Sequence, residues 1–184
     1  MPPAFFSSTP LACLLAFLVS LLAPSAAWAD DYADVNRLLR AGSHTEALAR
    51  AESYLAAKPR DPQMRFLRGM ILAQSGRPAD ALAAYSALVQ EYPELPEPYN
   101  NLAVLYAAQN QYEKAKEALE RAIRVNPGYA MAHENLGDVY QQLARQAHAR
   151  AVQLDPASPS ARAKLAVPAA ASPTAPGVPL RSAQ

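Results

Sequence analysis

A motif recurring about every 34 residues dominates this chain of 184 residues and leaves it few possible folds. Within 96–129, Tyr99, Leu102, Ala103 and Tyr106 fall at i, i+3, i+4 and i+7, which is one stripe of a helix. Tyr112, Ala115, Leu119 and Ala122 form a second stripe, and Pro127 ends it. Asn110-Gln111 separates the two stripes, and Asn tolerates the left-handed backbone of a tight turn. The segment is one helix-turn-helix unit. Such a unit cannot bury its apolar faces alone, so it stacks on its neighbours.

The segment 62–95 carries the same pattern. Gly69 takes the small position of the first helix and Gly76 the turn. Pro78 opens the second helix, where its missing N–H costs little. Ala81, Tyr85, Leu88 and Pro93 complete the unit. Arg65 and Arg68 stand where an aromatic and a Leu are expected, so Phe66 and Leu67 should take over part of the packing. In 30–61, Val35, Leu38, Gly42, Ala47, Ala51 and Pro59 fit, and Ser43 with Glu46 spells a capping box. From Ala130, His133, Leu136, Gly137 and Tyr140 begin a further first helix. Its closing proline, Pro156, comes about five residues early against the repeat period. Leu136, Val139, Tyr140, Leu143, Ala147, Ala151 and Leu154 instead keep one helical face. One long helix over 131–155 is predicted here; the alternative is a very tight turn near Ala144-Arg145.

These residues resemble the tetratricopeptide repeat family. Its pattern runs aromatic, Leu-Gly/Ala, Tyr, a small residue after the turn, an aromatic or Leu, Ala, and a closing Pro. The resemblance implies an all-α, right-handed superhelical solenoid of antiparallel helix pairs with a merged C-terminal capping helix. It covers about 30–156, with units at 30–61, 62–95, 96–129 and an atypical 130–156. Composition agrees. Ala occurs 41 times against 14 for Val, Ile and Thr together, which favours helices over sheets. Only 6 Gly are present, which leaves little for a phosphate-binding loop.

The two ends differ from the body. Leu11–Leu22 is an apolar run of twelve, short for a membrane span and suited to a signal-peptide core. Ala27-Trp28-Ala29 follows, so 1–29 is expected to be a signal peptide cut before Asp30, although its start lacks Lys and Arg. Membrane attachment is expected only if that segment stays uncut. Cys13 precedes most of the apolar run, the wrong order for lipidation, and its removal leaves a chain without cysteine, suited to an oxidising compartment such as a bacterial periplasm. At the other end, 157–184 is rich in Pro and Ala and has no aromatic or acidic residue, so it is expected to be a disordered tail.

No constellation for catalysis converges in the sequence. His133 and His148 on one straight helix are about 22 Å apart and cannot share a metal. Glu113, Glu117 and Glu120 with Lys114, Lys116, Arg121 and Arg124 read as a solvated, salt-bridged face. A net charge of +1 argues against nucleic acid. No cofactor, metal or small-molecule substrate is expected. What remains is a surface for a protein or peptide.

In the resembled family the first helices of successive units line a concave groove. Carried over position by position, the resemblance implies groove residues Phe66, Leu67, Met70 and Gln74 in the second unit. In the third it implies Glu97, Asn100, Asn101, Val104 and Ala108, and in the last Met131, Glu134, Asn135, Asp138 and Gln142. Asn101 and Asn135 are equivalent; each amide could hold a peptide backbone or bond a neighbouring helix. Some family members clamp a C-terminal carboxylate with Lys and Arg, but Asn100 and Glu134 stand where a Lys is wanted. A basic or neutral ligand suits Glu97, Glu134 and Asp138 better. The expected function is a non-enzymatic interaction module of the cell envelope that supports complex assembly. The alternatives are an accessory subunit or truncated relative of a periplasmic enzyme, and a self-associating structural protein using an exposed terminal helix.

Overall fold

A computed structural model describes residues 25–166. The expected signal core and the tail beyond Ala166 lie outside them. Among the described residues every regular element is a helix: α1 (Ser25–Arg40), α2 (His44–Ala57), α3 (Pro62–Gln74), α4 (Pro78–Glu91), α5 (Pro96–Ala108), α6 (Tyr112–Val125), α7 (Ala130–Leu154) and α8 (Pro159–Ala166). Each packs on the next, so the chain is a solenoid of antiparallel helix pairs. None of these helices is long and apolar enough to cross a membrane.

Two kinds of turn alternate. Gly42, Gly76 and Asn110 take left-handed backbone with φ of 73, 71 and 59° at the same place in three successive units. Each turn closes on the preceding helix, as where the Arg77 N–H donates to the Leu72 carbonyl at 3.0 Å. The other turn leads from a second helix into the next first helix. The Lys58 N–H donates to Tyr54 and the Asp61 N–H to Lys58, at 3.0 and 3.2 Å. Tyr92 and Leu95, and then Asn126 and Tyr129, repeat it. Pro62 and Pro96 then open α3 and α5, and Pro78 opens α4.

The core runs along the stack and is built of small residues meeting large ones. Ala47, Ala51, Ala81, Ala103, Ala115 and Ala122 are fully buried beside Met64, Ile71, Tyr85, Leu88 and Leu119. Gly69 lets the Tyr85 ring lie against the backbone of α3, where a Cβ would meet Tyr85 Cε1 at 2.6 Å. Leu67 is buried and Phe66 tilts against Tyr85 at 5.6 Å, as their takeover of packing required. Arg65 leaves the core and pairs with Glu91 through two bonds of 2.8 and 2.9 Å.

Three expectations need correction or completion. Ser43 stands before α2, but its side chain caps nothing. It follows left-handed Gly42, and its ψ of 60° differs from the extended backbone of a capping residue. A side-chain cap is found at α3, where Asp61, extended at ψ 111°, accepts from the Met64 N–H through Oδ1 at 2.8 Å. The long helix is one element of 25 residues, with no turn at Ala144. Finally, α8 occupies 159–166, inside the stretch expected to be a disordered tail. Pro159 pre-sets its first turn, the Ser158 hydroxyl accepts from the Ala161 N–H at 3.4 Å, and Ala161 is buried.

Candidate functional site

The candidate groove residues sit on α3, α5 and α7 because the repeat returns the same helical face at each first helix. Two hollows open between α3 and α5. One, of about 250 Å³, is lined by Pro62, Gln63, Phe66, Leu95, Glu97 and Pro98. The other, of about 70 Å³, is lined by Met70, Ala73, Gln74, Tyr85, Asn101, Val104 and Leu105. The fold thus brings together Phe66 with Glu97, and Met70, Gln74, Asn101 and Val104. Leu67 is buried in the core, and Ala108 is exposed at the end of α5. On α7, Glu134 is exposed, while Met131, Asp138 and Gln142 are half-buried. None of these four lines either hollow.

Asn100, Asn101 and Asn135 form a buried amide cluster, with 0, 3 and 0% of their surfaces exposed. Asn135 Nδ2 donates to Asn100 Oδ1 at 2.8 Å, joining α7 to α5. Asn100 Nδ2 reaches Asn101 Oδ1 at 3.4 Å and Met131 Sδ at 3.7 Å. Asn101 Nδ2 donates to the Tyr85 hydroxyl at 3.0 Å, joining α5 to α4. Of the two readings of Asn101 and Asn135, the bond to a neighbouring helix is therefore present. A buried amide must find partners, and these do so across three helices.

The electrostatics of this region are set by burial. Burial pushes the Tyr85 phenol up, and the bond from Asn101 works the other way. The Tyr129 phenol is pushed up to about 12, chiefly by burial and then by the charge of Glu97. A second polar cluster ties the first three helices. The Tyr32 hydroxyl donates to Asp61 Oδ2 at 2.5 Å, and the Tyr54 hydroxyl donates to the same oxygen at 3.1 Å. Burial would raise the Asp61 carboxyl, but the bonds from Met64, Tyr32 and Tyr54 outweigh it and hold the group below its ordinary range. Asp61 therefore acts as a structural joint.

Among the described residues no group of three or more His, Cys, Asp or Glu converges on a metal-sized site. His133 is held by the Pro127 carbonyl at 2.9 Å. Lys116 pairs with Glu113 at 2.5 Å on the solvated face of α6.

Sequence reasoning missed the walls of the larger hollow. Pro62, Leu95 and Pro98 lie at or beside the unit boundaries and were given no role in the groove. Gln63 shares its repeat position with Glu97 and Met131, so the register alone could have found it. Tyr85 read as core and proved to be also the anchor of the amide cluster.

Comparison with known proteins bears on the whole solenoid. The chain is 36% identical over 96 residues to the TPR repeat-containing thioredoxin TTL4 of Arabidopsis thaliana, covering 52% of this chain and 14% of the relative. It is 32% identical over 92 residues to the probable biofilm formation methyltransferase WspC of Pseudomonas putida, covering 50% of this chain and 22% of the relative. The chain thus spans only a minor part of both relatives. Among solved structures, the Sgt2 TPR domain from Aspergillus fumigatus superposes with a TM-score of 0.61 at 18% identity, covering 68% of this chain and 85% of that one. The first TPR of Spaghetti (RPAP3), bound to the HSP90 peptide SRMEEVD, gives 0.59 at 20%, covering 68% of this chain and 99% of that one. Two tetratricopeptide repeat models match residues 32–96 and 72–136, together more than half of the chain, which therefore belongs to the tetratricopeptide repeat family.

Proposed function

We propose that this chain is a non-enzymatic interaction module that holds an extended segment of a partner protein in its concave groove and supports assembly of a complex in the cell envelope. The carrying observation is the hollow of about 250 Å³ between α3 and α5, walled by Pro62, Phe66, Leu95 and Pro98 with exposed Glu97 at its side. It is smaller than the usual range for small-molecule sites, about 300–1,000 Å³, and suits an apolar side chain or a proline of a bound segment. The charged candidate positions are Glu97, Glu134 and Asp138, all acidic, so a segment with basic residues beside its apolar anchor is the complementary ligand. An acidic C-terminal tail, as in the SRMEEVD complex of the neighbour, is disfavoured because Asn100 and Glu134 stand at positions where a carboxylate clamp wants cations. Placement in the envelope rests on the apolar run Leu11–Leu22 and on Ala27-Trp28-Ala29.

Crosslinking in the native envelope, followed by peptide binding with the identified partner segment, tests this reading. Glu97→Lys with Glu134→Lys should weaken binding about fivefold or more and reduce its salt dependence. Unchanged affinity in the double variant would sink the groove assignment. A second reading, an accessory subunit of an enzyme, is favoured by the similarity to parts of a thioredoxin and a methyltransferase. Co-purification of a catalytic partner would select it.

A further inference from the structure

We propose that two copies of this chain pair antiparallel through α7, the second half of each long helix docking on the first half of the other. This goes beyond the groove and does not depend on it.

One turn of the repeat is missing. Gly42, Gly76 and Asn110 turn each first helix into its second through left-handed backbone. The next residue in that register is Ala144, which cannot take this conformation cheaply and continues α7. Yet the chain beyond it keeps the second-helix pattern. Ala144, Ala147, Ala151, Val152 and Pro156 match Ala115, Ala118, Ala122, Ile123 and Pro127 of α6 and its closing turn. The turn that follows is the same as well. The Asp155 N–H donates to Ala151 at 2.9 Å and the Ser158 N–H to Asp155 at 3.2 Å, as Asn126 does to Ala122 and Tyr129 to Asn126 at 2.9 and 3.0 Å. Pro159 then opens α8 as Pro96 opens α5. The second half of α7 is a second helix fused to the first helix it should fold back on.

Among the described residues both faces of that broken pair are uncovered. At Gly69 the small position receives the Tyr85 ring, and its counterpart Ala103 is fully buried. Gly137, the next in register, is exposed with nothing within 4 Å of a built Cβ, and Tyr140 beside it is 50% exposed. On the other face, Ala81 and Ala115 are fully buried, whereas Ala144 is exposed. A straight helix cannot cover its own first half with its second. A second copy supplies each face with its complement, and the arrangement is symmetric and closed. His148 falls at the position of Tyr85 and Leu119, so it is the side chain that faces Gly137 of the other copy.

Sedimentation equilibrium of the full chain tests the pairing, with three variants. Gly137→Gln fills the exposed small position and raises helix propensity, so it should fold by circular dichroism yet weaken dimerisation at least tenfold. Inserting Asn-Gln-Tyr-Glu-Lys, the 110–114 turn, between Leu143 and Ala144 should restore the folded-back pair and give a monomer. In a Cys13→Ser background, Gly137→Cys with His148→Cys should form a disulfide-linked dimer on oxidation. The two sites are about 16 Å apart on one helix, too far for a bond within a chain. A wild-type chain that stays monomeric overturns the proposal, and protection of the Gly137 face by a different protein would reassign that face. A dimer indifferent to Gly137→Gln and to the insertion, or one that the cysteine pair does not crosslink, overturns it equally.

Discussion

Gly69 and Gly137 occupy one repeat position and meet opposite surroundings. Gly69 carries the Tyr85 ring so closely that a Cβ would sit 2.6 Å from it, while Gly137 has open space. Gly69→Ala should therefore destabilise the fold by about 1–3 kcal/mol, since the ring must move out of a packed core. Gly137→Ala should stabilise the monomer by about 0.5–1 kcal/mol through helix propensity alone. Urea denaturation followed by circular dichroism separates the two, and equal shifts would show that the register is misread. Asp61 is the other residue on which several elements depend. It caps α3 and accepts from Tyr32 on α1 and Tyr54 on α2. Its carboxyl is held below the ordinary range, so the stability it adds is present above the unfolded carboxylate pKa and is lost as pH falls through the folded value. Asp61→Ala should cost about 1–2 kcal/mol at neutral pH and flatten the acid limb of the stability profile.

Turns decide where helices stop. Gly76 sits at φ 71° with no side chain nearby, so Gly76→Ala meets backbone strain alone, about 1–2 kcal/mol by thermal or urea unfolding. The same change in the reverse sense at Ala144, Ala144→Gly, removes a good helix former from α7 and should cost about 1 kcal/mol. It should not by itself create a turn, because the residues that would span the gap are absent. The capping box written by Ser43 and Glu46 shows the limit of local motifs. A turn that leaves a left-handed Gly or Asn fixes the next residue near ψ 60°, as at Ser43, Arg77 and Gln111, and none of the three caps its helix with a side chain.

Over the whole molecule, stability rests on successive helices burying small residues against aromatic and aliphatic ones. Three phenols inside this stack should hold their protons at alkaline pH. Burial raises Tyr32 and Tyr85, and Tyr129 is pushed up to about 12 by burial and then by Glu97. Groups raised in the folded state contribute stability that is complete below the unfolded phenol value near 10 and is lost as pH rises through the folded value. Titration by ultraviolet difference absorbance should show these tyrosines ionising only with unfolding, between about pH 10 and 12. Early ionisation of all of them with the fold intact would contradict the packing. The amide cluster has its consequence at this scale too, since it links α4, α5 and α7 behind the groove.

The fold class, the turns at Gly76 and Asn110 and the preference for one long helix over a fourth pair are legible in the residues alone, because helical periodicity and turn chemistry are local. The candidate groove positions came from the family resemblance, which carries one helical face from unit to unit in register. Only the tertiary structure decided which of those positions line a hollow, because the α3–α5 cavity is formed by residues of two units brought side by side. It decided that Asn100, Asn101 and Asn135 bond one another, since hydrogen bonds between helices depend on their spacing. It also decided that Gly137 and Ala144 are uncovered, because burial depends on a neighbour that no single helix contains.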